Sequence, residues 1–214
     1  MQLQNGTLLQ GGKYKIETVL GQGGFGITYL ATQTLTDKKV AIKEFFFKEY
    51  CERDNVSGTV TVPTTSKKKF VEKFQKKFLK EAKIISDLNH KNIIRVLDVF
   101  QENDTSYYSM EYIIGKSLAQ EINAKGKIDE TEAISIIDSI GQALSYLHER
   151  HINHLDVKSG NIMIDEKEHR TVLIDFGVSK QYDPETGDGT TTTPVGISHG
   201  YSPLEQYNTG GVNN

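Results

Sequence analysis

The fold of this chain is decided by residues 14–31, which read YKIETVLGQGGFGITYLA. Apolar and polar residues alternate on both sides of a glycine cluster, which is typical of two strands joined by a turn. A polar turn at 36–38 and the run Val40-Ala41-Ile42-Lys43 come next. The stretch therefore predicts an antiparallel β-meander whose first turn carries the glycines.

The glycine cluster, residues 21–26, has the spacing G-x-G-x-x-G. Glycines let a backbone turn tightly and approach phosphate oxygens with its N–H groups. Taken alone the spacing is a weak signal, and an ordinary turn explains it equally well. A dinucleotide-binding turn would open a helix, whereas the strand-like residues 27–30 follow here. This context favours a glycine-rich flap over phosphates within a β-hairpin.

Bulk composition places the chain among soluble globular proteins. It has 214 residues, of which 36% are hydrophobic and 25% charged, and its net charge of -3 does not point to nucleic acid or an anionic membrane. The single cysteine, Cys51, cannot form an internal disulfide, and no apolar run is long enough to span a bilayer. We expect a cytoplasmic protein, or the cytoplasmic part of a longer one, with residues 1–13 as a disordered lead-in.

A long helix is predicted from Lys67 to Leu88. Its apolar positions fall on one stripe at about 100° per residue, and its opposite side is rich in lysine. The stripe consists of Phe70, Phe74, Phe78, Ile85 and Leu88. Glu81 lies inside this stripe, where a carboxylate is costly unless it meets a cation, and Lys43 is the candidate. The alternative is a glutamate that reaches solvent at the edge of the helix.

The second half of the chain changes from strands to helix and loops. Strands are predicted at 93–100 and 107–112, and a helix begins at Asp129, with Glu132 placed as in a capping box. The apolar face of this helix consists of Ala133, Ile136, Ile137, Ile140, Leu144 and Leu147. Short strands follow at 162–164 and 172–174. The pattern predicts an α+β chain with two lobes.

Polar residues with catalytic chemistry follow the second helix. Residues 154–161 read HLDVKSGN and residues 174–177 read IDFG. Asp156 can accept a proton from a hydroxyl, and Lys158 can neutralise a phosphoryl group. Asn161 and Asp175 carry the oxygen atoms that Mg²⁺ prefers. Each could instead be a polar turn that caps a strand, but chance does not explain all four patterns in this order.

These motifs together resemble the eukaryotic-type (Hanks-type) serine/threonine protein kinase domain, and bacterial members in particular. The resemblance runs from about Tyr14 to Tyr207. It implies an α+β, kinase-like two-lobe fold with an antiparallel β N-lobe, a long helix C and a mainly helical C-lobe. It also implies transfer of the γ-phosphoryl group of ATP, with Mg²⁺, to serine or threonine hydroxyls of a protein substrate. We expect the N-lobe at 14–110 with an insertion at about 47–66, the hinge at 111–115 and the C-lobe at 116–214.

The resemblance also implies a role for individual residues. Asp156 would be the catalytic base, assisted by Lys158, with Lys43 and Glu81 as an ion pair. Asn161 and Asp175 would bind the metal. The residues expected around the nucleotide are Leu20, Gly21, Gly23, Gly24, Phe25, Gly26, Thr28, Ala41, Lys43, Met110, Glu111, Ile113 and Met163. The hydroxyl of Ser198 would lie near Asp156, and residues 203–205 would end the activation segment.

Two departures from the family pattern matter for function. Leu155 stands where the family has an arginine that pairs with a phosphorylated activation segment, so we predict that Thr190 to Thr193 do not switch the enzyme through that contact. The chain also stops at Asn214, before the remaining helices of the family. We expect a C-lobe truncated at this point, completed by a partner or a further C-terminal segment. The alternative function is a catalytically impaired nucleotide-binding or scaffold fragment.

Overall fold

The computed structural model describes residues 2–176, 180–181, 198 and 200–202. It divides into two compact units, Met1–Leu88 with Arg95–Tyr112, and Asn89–Ile94 with Ile113–Asn214. Gly177, the four threonines at 190–193 and the predicted end of the activation segment at 203–205 lie outside the described residues.

The first unit is built on a six-stranded antiparallel sheet. Its elements, in chain order, are β1 (Leu8–Leu9), β2 (Tyr14–Gln22), β3 (Gly26–Gln33), β4 (Lys38–Phe45), β5 (Glu52–Arg53), β6 (Val60–Thr61), α1 (Lys68–Ser86), β7 (Val96–Glu102) and β8 (Thr105–Glu111). The strand order in the sheet is β1-β2-β3-β4-β8-β7, and β5 and β6 form a separate hairpin. The predicted meander and the long helix are both present, and the hairpin of β5 and β6 lies within the predicted insertion at about 47–66.

Two turns of this sheet use residues that tolerate a positive φ. Asp37 has a φ of 54° between β3 and β4, and Asn103 and Asp104 have φ values of 53° and 56° between β7 and β8. Two successive left-handed residues form a tight hairpin turn whose twist matches that of the strands. Short polar residues adopt this conformation more readily than others, which is why the turn at 36–38 could be recognised in the sequence.

The lead-in is ordered, and the prediction of disorder at 1–13 was wrong for the residues that the structure describes. Strand β1 pairs with β2, and Gly6 N donates to Ile16 O at 2.8 Å. Leu3 and Leu9 are buried, and Leu3 N donates a hydrogen bond to the hydroxyl of Tyr29. Isolated leucines in a polar segment give no periodic signal, yet they can cover a sheet that is already formed.

The central strands have two differently covered faces. Residues opposite each other on neighbouring strands share a face. The rows Ile27–Glu44–Tyr107 and Tyr29–Ile42–Ser109 lie on one face, which we call the outer face. The rows Thr28–Lys43–Tyr108 and Leu30–Ala41–Met110 lie on the other, the inner face. Helix α1 contacts the inner face, because Phe78 packs against Phe45 and Tyr108.

Helix α1 buries a narrower stripe than the sequence predicted. Val71, Phe78, Glu81, Ala82 and Ile85 are buried in it, whereas Phe70 is 42% exposed. Phe70 lies in the first turn of the helix, where it packs against Phe74 and the ring of Tyr50 instead of the sheet. The predicted stripe is therefore correct from Phe78 onward and wrong at Phe70.

Among its described residues, the second unit combines two α-helices with short strands. In chain order its elements are β9 (Gly115–Ser117), α2 (Leu118–Lys125), α3 (Glu130–His148), β10 (Ile152–Asn153), β11 (Ile162–Asp165), β12 (Arg170–Leu173) and β13 (Lys180–Gln181). Strands β12, β11 and β9 form one sheet, and β10 pairs with β13. None of the described helices has the length and apolar character needed to cross a membrane.

The sequence reading missed helix α2. Its start is a complete capping box, in which Ser117 Oγ accepts from Gln120 N and Gln120 Oε1 accepts from Ser117 N. Its end is Gly126, with a φ of 78°. The helix has eight residues and none is buried, so apolar periodicity could not reveal it. The capping residues were the available signal.

Helix α3 starts at the predicted place but with a different cap and a different buried face. The side chain of Asp129 accepts from Thr131 N at 2.9 Å and not from Glu132, so the capping box expected there is a simpler cap. The buried residues are Ile136, Ile140, Ala143 and Leu147. Ile137, which we had placed on the apolar face, is 71% exposed.

Residues Asn89–Ile94 belong to the second unit, which differs from the predicted N-lobe of 14–110. Ile94 N donates to Leu173 O, and Leu173 N donates to Asn92 O. The Nδ2 atom of Asn92 also donates to Thr171 O at 2.7 Å. These hydrogen bonds attach the segment to β12. The segment follows α1 in the chain, so its sequence gave no indication that it bonds to residues about 80 positions further on.

Candidate active site

The first group of predicted site residues surrounds an ion pair on the inner face. Lys43 Nζ lies 3.9 Å from Glu81 Oε1, and the glutamate side chain is only 8% exposed. Tyr108, which the sequence reading did not assign, places its hydroxyl 3.5 Å from the same carboxylate oxygen. Its ring centre is 5.8 Å from Lys43 Nζ. The buried glutamate thus meets the predicted cation, with an aromatic neighbour that the register of β4 and β8 could have indicated.

Three of the predicted nucleotide-binding residues, Thr28, Ala41 and Met110, share the inner face with Lys43, whereas Glu111 is opposite Val40 on the outer face. Thr28 is opposite Lys43, and Ala41 is opposite Met110. Glu111, at the end of β8, is held by Arg95, whose N donates to Glu111 Oε1 at 3.1 Å and whose O accepts from Glu111 N at 3.0 Å. The side chains of Thr28, Ala41 and Met110, on the same face as the ammonium group of Lys43, suit the base and phosphates of a nucleotide.

The glycine-rich loop connects β2 and β3. Leu20, Gly21, Gly23, Gly24 and Phe25 are exposed, and a side chain added at any of the three glycines among them would meet no atom within 4 Å. Gly26 is different, because a Cβ there would lie 2.6 Å from Glu44 O. Gly23 N donates to Gly26 O at 2.9 Å and closes the turn. Gly21, Gly23 and Gly24 therefore have free space around them, whereas Gly26 is needed because the backbone of β4 passes close to it.

The second group of site residues lies in the second unit around Asp156. Asp156 Oδ1 accepts from the hydroxyl of Ser198 at 2.5 Å. Lys158 Nζ donates to Asp156 Oδ2 at 2.8 Å and to Ser198 Oγ at 2.9 Å. Asn161 Nδ2 donates to the carbonyl oxygen of Asp156 at 2.9 Å and to its Oδ2 at 2.8 Å. The carboxylate is thus oriented by an amide and an ammonium, and one of its oxygens already accepts a hydrogen bond from an alcohol.

The buried ring of His154 connects this loop to the backbone of Ile174. It is 2% exposed, its Nδ1 accepts from Asp156 N, and its Nε2 faces Ile174 O at 3.3 Å. Its ring packs edge-on against Phe176. Burial lowers the pKa of His154 and outweighs the nearby carbonyl and the carboxylate of Asp175, which act in the opposite direction. The neutral ring with its proton on Nε2 satisfies both contacts.

The two predicted metal ligands are tied to each other through the backbone. Ile174 N donates to Asn161 O at 2.9 Å, which places Asp175 directly after a residue bonded to Asn161. Asp175 has a φ of 60°, and Leu155, before Asp156, has a φ of 64°. Both are left-handed conformations that non-glycine residues rarely adopt, and such strain concentrates at functional sites. Ile113 and Met163 are also in this unit, Ile113 buried and Met163 on β11 opposite Ser117.

The sequence reading missed Tyr201 and Ser202. Ser198 N donates to Ser202 Oγ, and the hydroxyls of Tyr201 and Ser159 are 2.8 Å apart. These bonds hold the segment of Ser198 against the catalytic loop. A hydroxyl-rich turn after a glycine was the only signal for them in the sequence.

Comparison with known proteins decides the family. The model of the protein kinase domain matches residues 14–206, which is most of the chain. The chain belongs to the protein kinase family. A solved kinase-like structure, "PpkA-294 apo form", superposes with a TM-score of 0.75 at 26% identity and covers 82% of this chain and 62% of its own. The fold of this kinase domain is therefore the two-lobe protein kinase fold.

Bacterial serine/threonine kinases are among the relatives. This kinase domain is 33% identical over 192 residues to serine/threonine-protein kinase PrkC of Bacillus subtilis, covering 90% of this chain and 26% of that protein. It is 33% identical over 184 residues to the probable serine/threonine-protein kinase YbdM of the same organism, covering 86% of this chain and 63% of YbdM. The chain therefore spans less than two thirds of the length of either relative.

Proposed function

We propose that this chain is an ATP-dependent serine/threonine protein kinase. The observation that carries the proposal is the contact between Asp156 Oδ1 and the hydroxyl of Ser198, with Lys158 bridging both groups. A carboxylate that is held in this way can accept the proton of a substrate hydroxyl in the same position. The relatives named serine/threonine kinases support the choice of serine and threonine as acceptors.

In this proposal each residue of the second unit has one task. Asp156 would orient the attacking hydroxyl and take its proton at Oδ1. Lys158, which donates to the other carboxylate oxygen, would keep the carboxylate of Asp156 oriented and face the phosphoryl group. Asn161 would keep the carboxylate in place through its Nδ2 and present its Oδ1 to a cation, together with Asp175.

In the first unit the tasks concern nucleotide binding. Lys43, paired with Glu81, would hold the phosphates, and the backbone N–H groups of the glycine-rich loop would cover them. The family generally uses ATP and Mg²⁺. In the first unit an ammonium and open glycines suit phosphates, and in the second unit one amide oxygen and one carboxylate suit a cation. Mg²⁺ takes few protein ligands and completes its shell with phosphates and water. Bound Mg²⁺–ATP would supply the phosphoryl group.

The substrates that we propose are proteins, since the relatives carry the name protein kinase. We also propose residues 111–115 as the hinge, because the division between the two units falls between Tyr112 and Ile113. A cytoplasmic location fits a cysteine, Cys51, that is buried and unpaired.

Transfer of radiolabel from γ-labelled ATP to a mixed protein substrate tests the proposal. We expect Asp156→Asn to lower the transfer rate by about 100-fold or more, because the proton acceptor is lost. Asp138→Asn is the matched control, since Asp138 is an exposed carboxylate on α3 whose contact is with Gln142. Equal transfer by the two variants would contradict the proposal. Thermal stabilisation by Mg²⁺–ATP with no transfer by the unaltered chain would favour the scaffold alternative.

A further inference from the structure

The tip of the glycine-rich loop is part of an aromatic cluster. We define this cluster as Phe25, Phe47, Tyr50, Phe70 and Phe74. The ring of Phe25 stacks on that of Phe74, with centroids 5.3 Å apart and planes 10° apart, and lies 4.6 Å from Phe47. Phe47 is the centre of the cluster, because it also contacts Tyr50, Phe70 and Phe74. Phe25 is 53% exposed although it belongs to the cluster.

The backbone of the loop is attached to the same region. Phe46 N donates to Phe25 O at 3.1 Å, and Lys48 N donates to Gly24 O at 3.0 Å. These bonds continue the pairing of β3 and β4 beyond Gly26, which is opposite Phe45. The loop is therefore tied to the start of the insertion at 46–48 by its backbone, and to helix α1 by the ring of Phe25.

Helix α1 connects the cluster to the ion pair. Phe74 and Glu81 are seven residues apart, so they lie within about 20° of the same direction around the helix. Along the helix axis they are about 10 Å apart. Phe78, between them, packs against Phe45 and Tyr108 on the inner face. One face of α1 thus contacts the loop through Phe74 and Lys43 through Glu81.

We propose that Phe47 and Phe74 are positioning residues for the nucleotide, which hold the glycine-rich loop through Phe25 in a fixed relation to the helix that carries Glu81. The inference rests on the function proposed above. The physical reason is that a loop of open glycines has high conformational freedom. Ordering such a loop when the nucleotide binds lowers affinity, and a loop that is already held avoids that loss.

The size of the effect follows from the ring contacts. An aromatic pair adds to stability beyond its buried area, and losing one such pair would raise the KM for ATP by roughly two- to tenfold. The contacts hold the loop whose N–H groups would cover the phosphates, so they act on binding of ATP rather than on the chemical step. We therefore expect kcat and the KM for the protein substrate to change little.

A tryptophan probe tests the contact without any enzymatic activity. The chain has no tryptophan, so Phe25→Trp introduces a single tryptophan at the loop tip, whose emission can be excited apart from that of the tyrosines. Adding Phe74→Leu to this variant should shift the emission to longer wavelength and increase quenching by acrylamide. Adding Phe70→Leu instead is the matched control, because the ring contacts of Phe70 are with Phe47, Tyr50 and Phe74. Equal emission and quenching in the two double variants would overturn the proposed contact.

Kinetics of the variants with Phe25 unaltered test the consequence. We expect Phe74→Leu to raise the KM for ATP by roughly two- to tenfold and Phe70→Leu to leave it unchanged. Phe74→Tyr should have the KM of the unaltered chain, because the tyrosine ring keeps the stacking. Melting temperatures of the leucine variants serve as the structural readout and should be similar to each other. A KM for ATP that follows the melting temperature in all three variants would overturn the positioning role.

The two proposals can fail separately. If the unaltered chain transfers no phosphate, the dissociation constant for a Mg²⁺-bound, non-hydrolysable ATP analogue replaces KM as the readout, with the same expected ratios. If the analogue also fails to bind, the proposed function is contradicted, and the positioning role with it. The emission experiment then still decides whether the aromatic cluster holds the loop. If transfer is normal and Phe74→Leu behaves as Phe70→Leu, only the positioning role is lost.

Discussion

Arg53 Nη2 lies 2.6 Å from Glu44 Oε2 on the outer face of the sheet, with the two side chains 3% and 0% exposed. The hydroxyls of Tyr29 and Tyr107 donate to the two oxygens of the same carboxylate, and Arg53 Nη1 donates to Gly58 O. Burial alone would lower the pKa of Arg53, yet the charge of Glu44 raises it above its usual value. This network attaches the insertion hairpin to the sheet.

Removal of the arginine from this network should destabilise the first unit. We expect Arg53→Ala to lower the free energy of unfolding by about 3–5 kcal/mol, because it leaves a buried carboxylate without its cation. Lys125→Ala is the control, since Lys125 is an exposed residue whose surface pair with Glu121 should contribute little to stability. Urea unfolding followed by circular dichroism measures both. Similar midpoints for the two variants would show that the buried pair does not hold the insertion.

Two glycines of the second unit should respond oppositely to alanine. A Cβ at Gly115 would lie 1.9 Å from Ile164 O, across the pairing of β9 with β11. A Cβ at Gly141, inside α3, would meet no atom within 4 Å. Gly115→Ala should therefore destabilise by at least about 1–3 kcal/mol, and Gly141→Ala should stabilise by about 0.5–1 kcal/mol. Thermal denaturation compares them, and destabilisation by Gly141→Ala would refute the second half of this prediction.

The buried histidine of the catalytic loop should make stability depend on pH. The pKa of His154 is lowered from 6.5, so below pH 6.5 the unfolded chain takes up a proton that the folded chain resists. The contribution of the neutral, buried His154 to the free energy of unfolding is complete above pH 6.5. It is lost as the pH falls from 6.5 toward the lowered pKa of the folded state. The melting temperature should therefore fall on acidification from pH 7.5 to 5.5.

The variants His154→Gln and His148→Gln identify the group responsible. The first should reduce the dependence on pH, and the second, at an exposed position of α3, should not. The pKa of His90 is also lowered by its burial, so part of the dependence should remain after His154→Gln. An unchanged pH profile in that variant would assign the effect elsewhere.

Activity should not depend on phosphorylation of Thr190 to Thr193. Leu155, in place of the family's arginine, has no charge with which to bind a phosphate. We expect alanine at all four threonines, or treatment with a phosphatase, to leave the rate of phosphate transfer unchanged. A rate that falls with phosphatase and returns on renewed phosphorylation would contradict this prediction.

Individual residues show which parts of the site could be predicted from the sequence. Asp156, Lys158 and Asn161 are within eight residues of one another, so their encounter is a local property of one loop. Glu81 could be assigned because a carboxylate in an apolar stripe needs a cation, and the structure brings Lys43 to it. By contrast, Arg53 and Phe47 gave no signal, since their partners are set by the folding of the insertion against the sheet.

The sequence by itself determined the meander, the long helix, the family and the order of the catalytic motifs, because periodicity, turn residues and short spacings are local. Only the tertiary structure decided that Leu3 and Leu9 are buried, that Ile137 is exposed and that Asn89–Ile94 is hydrogen-bonded to β12. It also decided that Phe25 stacks on Phe74. These contacts join residues far apart in the chain, and their free energy depends on which surfaces meet, which no local pattern records.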